Sequence, residues 1–320
     1  MNRILIIQTA FIGDVILATP IAEAIHEKYP NSRIDFLVRK GNEALFKDHP
    51  FLNQILVWDK RQRKYAGLFK LLKQIRDNKY DLVVNCQRFA ASGFLAAFSK
   101  GKSITGFDKN PFSRLFNYRV SHEIGNGLHE TERNLRLIEH LGGVNTHTKP
   151  KLYPGTLRII TQKPYVCIAP ASVWFTKQWP EHKWVELIRE LPLEMNIYLI
   201  GSQQDTDLCN KIINVAGRTR VENLCGKIGL LESAELMKLA EMNYVNDSAP
   251  MHLCSAVNAP VTAIFCSTIP DFGFGPLSEK MHIVESPENL KCRPCGLHGY
   301  NACPEGHFHC AEKIRVEKVI

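Results

Sequence analysis

Short hydrophobic runs alternate with amphipathic segments along most of this chain. Apolar runs at residues 3–8, 34–38 and 80–85 predict buried parallel strands, because a strand covered on both faces needs apolar side chains throughout. Segments 15–29 and 65–78 instead repeat apolar residues at helical spacing. This alternation predicts an α/β fold, with parallel sheets covered by helices on both faces.

A second run of the same pattern begins after a polar, weakly periodic stretch at residues 144–163, which contains Pro150, Pro154 and Gly155. We place a domain boundary there and expect one Rossmann-like domain at residues 1–150 and another at 151–320. Their parallel sheets are expected to face each other across a cleft, with ligands at the carboxyl ends of the strands.

Further elements follow from the same patterns. Strands are predicted at 54–58, 103–107, 165–168, 196–200, 244–246 and 261–265. Helices are predicted at 42–48, 92–99, 129–141, 181–190, 204–216, 233–242 and 251–257, and from residue 311 onward.

Length and composition are those of a two-domain globular protein. The 320 residues are 45% hydrophobic and 22% charged. The apolar run at the start is too short for a signal sequence, and no apolar run reaches membrane-spanning length. We therefore expect a cytoplasmic protein whose ten cysteines are free thiols or metal ligands.

Positive charge is concentrated in the first half. Residues 1–150 carry 23 Lys and Arg against 14 Asp and Glu, whereas residues 151–320 carry 17 against 18. Such a surface attracts nucleic acid, a phosphorylated substrate or an acidic membrane, or it serves only solubility. No aromatic-interleaved or recognition-helix pattern favours nucleic acid.

The most informative stretch runs from Val245 to Cys254, where a strand pattern ends and a helix pattern begins. Asp247 or Ser248 would cap the helix, and Pro250 lies in its first turn. Backbone N–H groups at such a start form an anion site, although many α/β proteins contain a capped helix there with no ligand.

Other strand ends in the second half carry compatible groups. The segment 169–180 offers Ser172 and Lys177, which could hold a phosphate. Gln203 or Asp205 could meet ribose hydroxyls, and residues 224–228 form a fourth turn. Together these turns favour a nucleotide-diphosphate site.

The loop after the first strand lacks both a Gly-x-Gly-x-x-Gly fingerprint and a Walker sequence, which disfavours a dinucleotide oxidoreductase. Gly13 could let the backbone turn tightly or approach a ligand. Asp14 is either a helix cap or a carboxylate base for a substrate hydroxyl.

These segments together resemble the heptosyltransferase family of inverting glycosyltransferases, glycosyltransferase family 9, whose members have the GT-B fold. The matching motifs are Ile12-Gly-Asp-Val-Ile-Leu-Ala-Thr-Pro20, Lys177-Gln-Trp-Pro180, Gly201-Ser202, Asn223-Leu-Cys-Gly-Lys227, Asn246-Asp-Ser-Ala-Pro-Met-His252 and Phe274-Gly-Pro276. They span most of the chain in the order that the family has.

The resemblance implies that the second domain binds ADP-heptose and that Asp14 activates the acceptor hydroxyl. Residues that it assigns to the nucleotide sugar are Gly13, Ser172, Lys177, Gln203, Ile228, Asp247, Ser248, Ala249 and His252. Lys177 and Ser172 would hold the diphosphate, Gln203 the ribose, Ile228 the adenine and Asp247 the sugar. Ala249 stands where the family has glycine, and the segment before Asn246 is shorter, which predicts a shifted or frayed strand there.

The acceptor implied by the resemblance is the anionic Kdo and lipid A core of lipopolysaccharide. Residues 60–64 and 100–119 are candidate contacts with it, or ordinary solvated faces. The enzyme would lie peripherally on the inner membrane and need no metal or other cofactor for its chemistry.

Near its end the chain carries Cys292, Cys295, Cys303 and Cys310. The first two have the spacing that binds one metal ion, so a structural zinc is one interpretation and a cluster of reduced thiols the other. For the whole chain, two alternatives to heptose transfer stay open: a GT-B transferase that uses another nucleotide sugar, and a non-catalytic nucleotide or glycan binder.

Overall fold

The structure is a computed structural model that describes residues 1–60, 64–157 and 161–320, with only the backbone of residues 64 and 65. The chain divides into two compact units, Met1–Tyr153 and Pro154–Ile320. The division falls within the stretch in which the sequence predicts the boundary, slightly beyond residue 150.

The first unit is built on a sheet whose described strands are all parallel, in the order β3-β2-β1-β4-β5-β6. These strands are β1 Arg3–Ile7, β2 Arg33–Arg39, β3 Leu52–Trp58, β4 Leu82–Asn85, β5 Ser103–Phe107 and β6 Tyr118–Val120. The helices are α1 Ile12–Lys28, α2 Lys64–Asn78, α3 Ala90–Ala97 and α4 Glu130–Arg136. Short 3-10 helices occur at Glu43–Phe46, Ser113–Leu115 and Glu139–Leu141.

Helix α1 contains a proline in its interior and compensates for it locally. Pro20 has no N–H to donate to the carbonyl of Ile16, one turn earlier. The hydroxyl of Thr19 donates to that carbonyl instead, at 2.7 Å. The same oxygen accepts the backbone N–H of Lys151 at 3.0 Å, so one buried hydroxyl serves both the helix and the last residues of this unit.

The second unit repeats the architecture, with described strands in the order β12-β11-β10-β7-β8-β9, again all parallel. These strands are β7 Tyr165–Ala169, β8 Asn196–Leu199, β9 Val221–Asn223, β10 Met242–Asn246, β11 Val261–Phe265 and β12 Met281–Glu285. The helices are α5 Glu181–Glu190, α6 Thr206–Ala216, α7 Leu230–Lys238, α8 Ala249–Val257 and α9 His309–Glu312. The 3-10 helices are Phe175–Lys177, Gln203–Asp205, Pro270–Phe272 and Val316–Lys318.

The C-terminal residues belong to the core of the second unit. Ala311, Ile314, Val316 and Val319 are fully or almost fully buried, in the same apolar cluster as residues of α5 and β8. Burial of several apolar side chains stabilises this segment against the sheet, although α9 is only one turn long.

The predicted α/β fold with parallel sheets is confirmed, but several elements differ from the sequence prediction. Strands β6, β9 and β12 were not predicted, because they are short or largely exposed and so lack a continuous apolar run. Helix α7 ends at Lys238, so the prediction of a helix through Met242 is wrong. Residues 42–48 form only the 3-10 helix Glu43–Phe46.

The strand before Asn246 is complete rather than shifted or frayed. Strand β10 begins at Met242 and pairs in register with β7 on one side and β11 on the other. Its last four residues are buried. The turn after it is therefore held by a central strand of the sheet.

Within the described part of the chain, every helix is too short or too polar to cross a lipid bilayer.

Candidate active site

In the second unit, the six described strands all end at one edge of the sheet, and the loops that follow β7, β8, β9 and β10 carry most of the predicted site residues. The carboxyl ends of β7 and β10 are adjacent, because these two strands pair directly. This adjacency brings the loop after Ala169 next to the turn after Asn246, as expected for ligand sites in parallel α/β sheets.

The buried side chain of Asn246 joins these two segments. Its Nδ2 donates to the carbonyl of Pro170 at 2.8 Å, and its Oδ1 accepts the N–H of Trp179 at 2.9 Å. The amide thereby holds both ends of the 170–180 loop against β10. Because Asn246 is fully buried, loss of either hydrogen bond would leave an unsatisfied polar group.

Lys177 and Asp247 form an ion pair with 2.6 Å between Nζ and Oδ2, and their side chains are only 15% and 6% exposed. The same carboxylate oxygen accepts the hydroxyl of Thr268 at 2.6 Å. Such a pair holds a lysine ammonium and a carboxylate in fixed positions at the strand ends. It can present a positive group to a diphosphate and an acceptor to a sugar hydroxyl.

The Cys-rich tail packs against this ion pair through Thr176. The Oγ1 of Thr176 accepts the N–H of Tyr300 at 2.8 Å and the hydroxyl of Ser267 at 3.0 Å. Gly299 has φ +79°, and a Cβ there would lie 2.8 Å from Thr176 Oγ1 and 3.2 Å from Lys177 Cγ. The tail therefore contacts the site so closely that only glycine fits.

The loops after β8 and β9 also meet. The N–H of Gly226 donates to the carbonyl of Gly201 at 3.1 Å, and Gly226 packs against Gln203. Gln203 is exposed and Ile228 is partly buried, so both are accessible at this edge. One carboxylate oxygen of Asp205 accepts both the N–H and the hydroxyl of Ser202 at 2.7 Å, which leaves Gln203 as the better candidate for a ribose contact.

At the start of α8, Ser248 occupies the N-cap position and Ala249 is the first helical residue. The hydroxyl of Ser248 donates to the carbonyl of Asn246 at 3.3 Å rather than capping the helix. The N-cap residue Ser248 therefore makes no side-chain hydrogen bond to the helix start. His252 follows in the next turn and is 6% exposed.

In the first unit, Gly13 and Asp14 lie in the first turn of α1. Gly13 is helical and is not among the residues with positive φ, so of its two proposed roles the close approach to a ligand stays a prediction. The carboxylate of Asp14 accepts the N–H of Phe11 at 3.1 Å, and Asp14 is partly exposed. It thus does cap the helix start while remaining accessible to solvent.

Polar side chains around this loop come from neighbouring strand ends. Lys60 donates to the carbonyl of Thr9 at 2.7 Å, and the Thr9 hydroxyl donates to Gln87 at 2.7 Å. Asn110 donates to the carbonyls of Gln87 and Phe89. Of the basic segment 60–64, residues 61–63 lie outside the described residues.

The segment 100–119 is divided between opposite edges of the sheet. Asn110 follows the carboxyl end of β5, on the side of Asp14, whereas Lys100 precedes the amino end of that strand. Lys102 beside it pairs with Asp81, which precedes β4. Lys100 is therefore not a neighbour of Asp14, and of the predicted acceptor contacts in this segment only those near residues 108–112 lie at the Asp14 edge.

The four tail cysteines carry free thiols. Cys295 and Cys310 are buried, and burial raises the pKa of the Cys310 thiol to about 12. In the described residues, no three or more His, Cys, Asp or Glu side chains have the geometry of a metal site. The predicted zinc at Cys292, Cys295, Cys303 and Cys310 is thus not confirmed.

Three residues that build the site were missed in the sequence: Ser267, Thr268 and Gly299. Thr176 and Asn246 lie in segments that the sequence singles out, because the 169–180 loop offers Thr176 beside Ser172 and Lys177, but their contacts were not predicted. Ser267 and Thr268 follow β11 after one residue, so hydroxyl residues after a buried strand were an available signal. The contact of Gly299 with Thr176 has no local signal, because it joins segments more than a hundred residues apart.

The strand orders define an α/β protein of two repeated parallel-sheet units, and comparison with known families specifies the class. Residues 68–299 match the family model "Glycosyltransferase family 9 (heptosyltransferase)". The chain belongs to glycosyltransferase family 9.

Among its relatives is lipooligosaccharide heptosyltransferase 2 of Campylobacter jejuni, which is 24% identical over 99% of this chain and 97% of the relative. Among solved structures, Escherichia coli ADP-heptose lps heptosyltransferase II superposes with TM-score 0.80 at 21% identity, over 100% of this chain and 96% of that one. E. coli heptosyltransferase WaaC with ADP-2-deoxy-2-fluoro heptose superposes with TM-score 0.76 at 19% identity, covering 99% and 97%. These superpositions confirm the heptosyltransferase fold, GT-B, that the resemblance implies.

Proposed function

We propose that this protein transfers heptose from ADP-heptose to the inner core of lipopolysaccharide, with Kdo-lipid A or a first heptose as acceptor. The observation that carries the proposal is the buried Lys177–Asp247 pair at the carboxyl edge of the second sheet, within the segment that matches the family. Relatives that are named heptosyltransferases and a neighbour with bound ADP-2-deoxy-2-fluoro heptose support this choice of donor.

In this proposal the second domain, residues 151–320, binds the nucleotide sugar. Lys177 and Ser172 hold the diphosphate, and Gln203 and Ile228 contact the ribose and adenine. Asp247, Ser248, Ala249 and His252 surround the sugar, and Gly13 is a further proposed contact of the nucleotide sugar. The start of α8, which Ser248 does not cap, supports this arrangement, because the helix dipole favours a negative ligand there.

The reaction is a single displacement with inversion at the anomeric carbon. Asp14 takes the proton of the acceptor hydroxyl, whose oxygen then forms a bond to the anomeric carbon as the bond from that carbon to ADP breaks. The ammonium of Lys177 stabilises the charge that develops on the departing diphosphate. The step needs no metal, and we expect activity to persist in a chelator.

The first domain, residues 1–150, receives the acceptor. Its excess of basic residues suits the carboxylates and phosphates of a Kdo and lipid A core. We propose Lys60 and residues 108–112 as contacts, since they lie at the same edge of the sheet as Asp14. The protein would act in the cytoplasm, peripheral to the inner membrane.

Turnover tests this proposal directly. Purified protein is incubated with ADP-heptose and Kdo-lipid A, and ADP release is followed together with the mass of the acceptor. We expect stoichiometric release and a gain of one heptose. Asp14→Asn should abolish transfer while retaining ADP binding, whereas Asp48→Asn, an exposed carboxylate in the same unit, should leave it unchanged.

Two other outcomes distinguish the alternatives. Transfer from a different nucleotide sugar, but not from ADP-heptose, would identify a related transferase. Binding of ADP with no turnover of any donor would identify a nucleotide binder.

Transfer that survives Asp14→Asn would remove Asp14 as the base.

A further inference from the structure

The ends of helices α2 and α3 in the first unit enclose a surface pocket of about 440 Å³. Its charged lining consists of Lys73, Arg76, Lys79 and Lys100, with Asp77 as the one carboxylate among the described lining residues. The pocket lies away from the Asp14 edge of the sheet, because both helices run from that edge towards the other. Four cations against one anion favour a negatively charged occupant.

Three of these cations are available to a ligand. Across the described ranges, the ammonium groups of Lys73, Lys79 and Lys100 have no hydrogen bond or ion pair. Arg76 differs, since its Nε donates to the carbonyl of Phe98 at 2.8 Å and so joins α2 to the end of α3. Arg76 is thus held in place by a hydrogen bond, whereas the three lysine ammonium groups can bind a ligand.

Two of the lysines occupy backbone conformations that favour glycine. Lys79 follows α2 with φ +51°, and Lys100 follows α3 with φ +60°. Glycine or asparagine is the usual residue after a helix at such values. Placing lysine there keeps a charge at the pocket at the expense of backbone strain, and strain of this kind concentrates at functional positions.

Aromatic side chains stand beside these charges. Phe69 on α2 is 61% exposed and Phe98 at the end of α3 is 38% exposed. Both pack on Phe94, with ring centroids 5.9 Å and 5.0 Å apart, so a supported cluster reaches the surface. Exposed aromatic rings next to lysines suit the boundary between lipid headgroups and acyl chains.

We propose that this surface, formed by Phe69, Phe98 and the lysines of the pocket, docks the protein onto an anionic lipid bilayer. The lysines contact headgroup phosphates, one of which enters the pocket, and the phenyl rings insert among the headgroups. The proposal assigns a surface to the peripheral location suggested above. It does not depend on heptose transfer, because lipid binding needs neither donor nor acceptor.

Flotation with lipid vesicles tests the docking surface. We use phosphatidylglycerol mixed with phosphatidylethanolamine as the anionic vesicle and phosphatidylcholine as the neutral one. The full chain should bind the anionic vesicles only, and less as salt rises. A basic side chain near an anionic surface contributes roughly five-fold, so Lys79→Gly with Lys100→Gly should lower partitioning about 10- to 30-fold.

Glycine is chosen because it fits both backbone conformations, so this double variant should fold at least as well as the parent. Its matched control is Lys280→Ala with Lys291→Ala, which removes two exposed charges from the second unit and should leave binding unchanged. Phe69→Ala should also weaken binding, without changing its salt dependence.

Absence of binding to anionic vesicles would overturn the proposal, as would binding equal in the parent and the Lys79→Gly, Lys100→Gly variant. An equal loss in the control variant would also overturn it, since net charge alone would then account for the effect. ADP release with a water-soluble Kdo acceptor should be normal in the docking variants. Its loss in the parent as well would count against the proposed reaction, not against docking.

Discussion

The two units use positive charge in opposite ways. In the second unit, Lys177 is largely buried and paired with Asp247 at 2.6 Å, at the end of a central strand. In the first unit, Lys73 lies on α2, and Lys79 and Lys100 lie after the ends of α2 and α3; all three are without a partner among the described residues. The first arrangement holds one cation against a carboxylate, and the second leaves several cations without a protein partner among the described residues.

This difference separates two kinds of anion recognition. A paired, desolvated lysine is already positioned before a small ligand arrives, and its interactions are strong because water is excluded. Unpaired surface lysines act at longer range, are screened by salt, and suit an extended charged surface. Net charge alone cannot reveal the anion site that is predicted in the second unit, because residues 151–320 have a net charge close to zero.

The largest effect is expected for Lys177→Met, which removes the fixed cation and keeps the length of the side chain. We expect kcat/KM for ADP-heptose to fall roughly 10²- to 10³-fold, because charge on the leaving diphosphate loses its stabilising group. Steady-state kinetics of ADP release measures this.

Lys183→Met is the matched control. Lys183 lies on α5 and pairs with Glu186 at 3.3 Å, and its side chain is 17% exposed, close to the 15% of Lys177. This control therefore removes an equally buried cation that is not paired with Asp247, and activity should remain normal. A Lys177 variant as active as this control would show that the ammonium of Lys177 has no special role in the reaction.

Gly299→Ala tests how rigidly the second site is held. The new Cβ would lie 2.8 Å from Thr176 Oγ1, on a residue with φ +79°. We expect a loss of roughly 2–4 kcal/mol in the free energy of unfolding, together with lower activity. Urea denaturation measures the first quantity.

Gly306→Ala separates the steric contribution to that loss from the contribution of the backbone conformation. Gly306 has φ +70°, but an added Cβ there meets no atom within 4 Å. This variant should therefore lose only the conformational part, roughly 1 kcal/mol. Equal losses at the two glycines would mean that the tail is not tightly packed against Thr176.

Mild acid should affect the first unit through His49. Burial, followed by the nearby charges of His26 and Lys151, lowers the pKa of His49 from 6.5 to about 4. The folded state therefore favours neutral His49. Its contribution to stability is complete above pH 6.5 and is lost as the pH falls towards 4.

His49→Gln should make stability less dependent on pH in that window, by roughly 1 kcal/mol after allowance for solvent screening of this partly exposed group. Urea denaturation at a series of pH values measures it. A slope identical to that of the parent would exclude His49 as the responsible group.

The smallest effect is expected for Lys79→Gly alone. Relief of the left-handed conformation at φ +51° should raise the free energy of unfolding by roughly 0.5 kcal/mol. A clear destabilisation would indicate that Lys79 has a structural partner, and the contrast between the two units would weaken.

Much of the fold could be predicted because central strands such as β1 and β10 are buried along nearly their whole length, and their apolar runs are unmistakable. Edge strands could not be predicted in the same way. β6 has two exposed residues out of three, so no hydrophobic pattern marks it.

The candidate site was predictable as a set of strand ends, but not as a set of contacts. Lys177 and Asp247 were both candidates, yet their pairing requires β7 and β10 to be neighbours, and these strands are not consecutive in the chain. Thr268 was missed and the hydrogen bonds of Asn246 were not predicted for the same reason, since their partners lie on other segments. Periodicity identifies elements, whereas sheet order decides which side chains meet.

Thr19 in helix α1 limits which amino-acid substitutions the first unit can accept. One oxygen there satisfies both the carbonyl freed by Pro20 and the amide of Lys151. Thr19→Val, nearly identical in shape, would leave two backbone groups without partners at once. The backbone hydrogen bonding of the middle of α1 and that of Lys151, near the end of the first unit, therefore both depend on the Thr19 hydroxyl. A substitution at this one position would affect both segments.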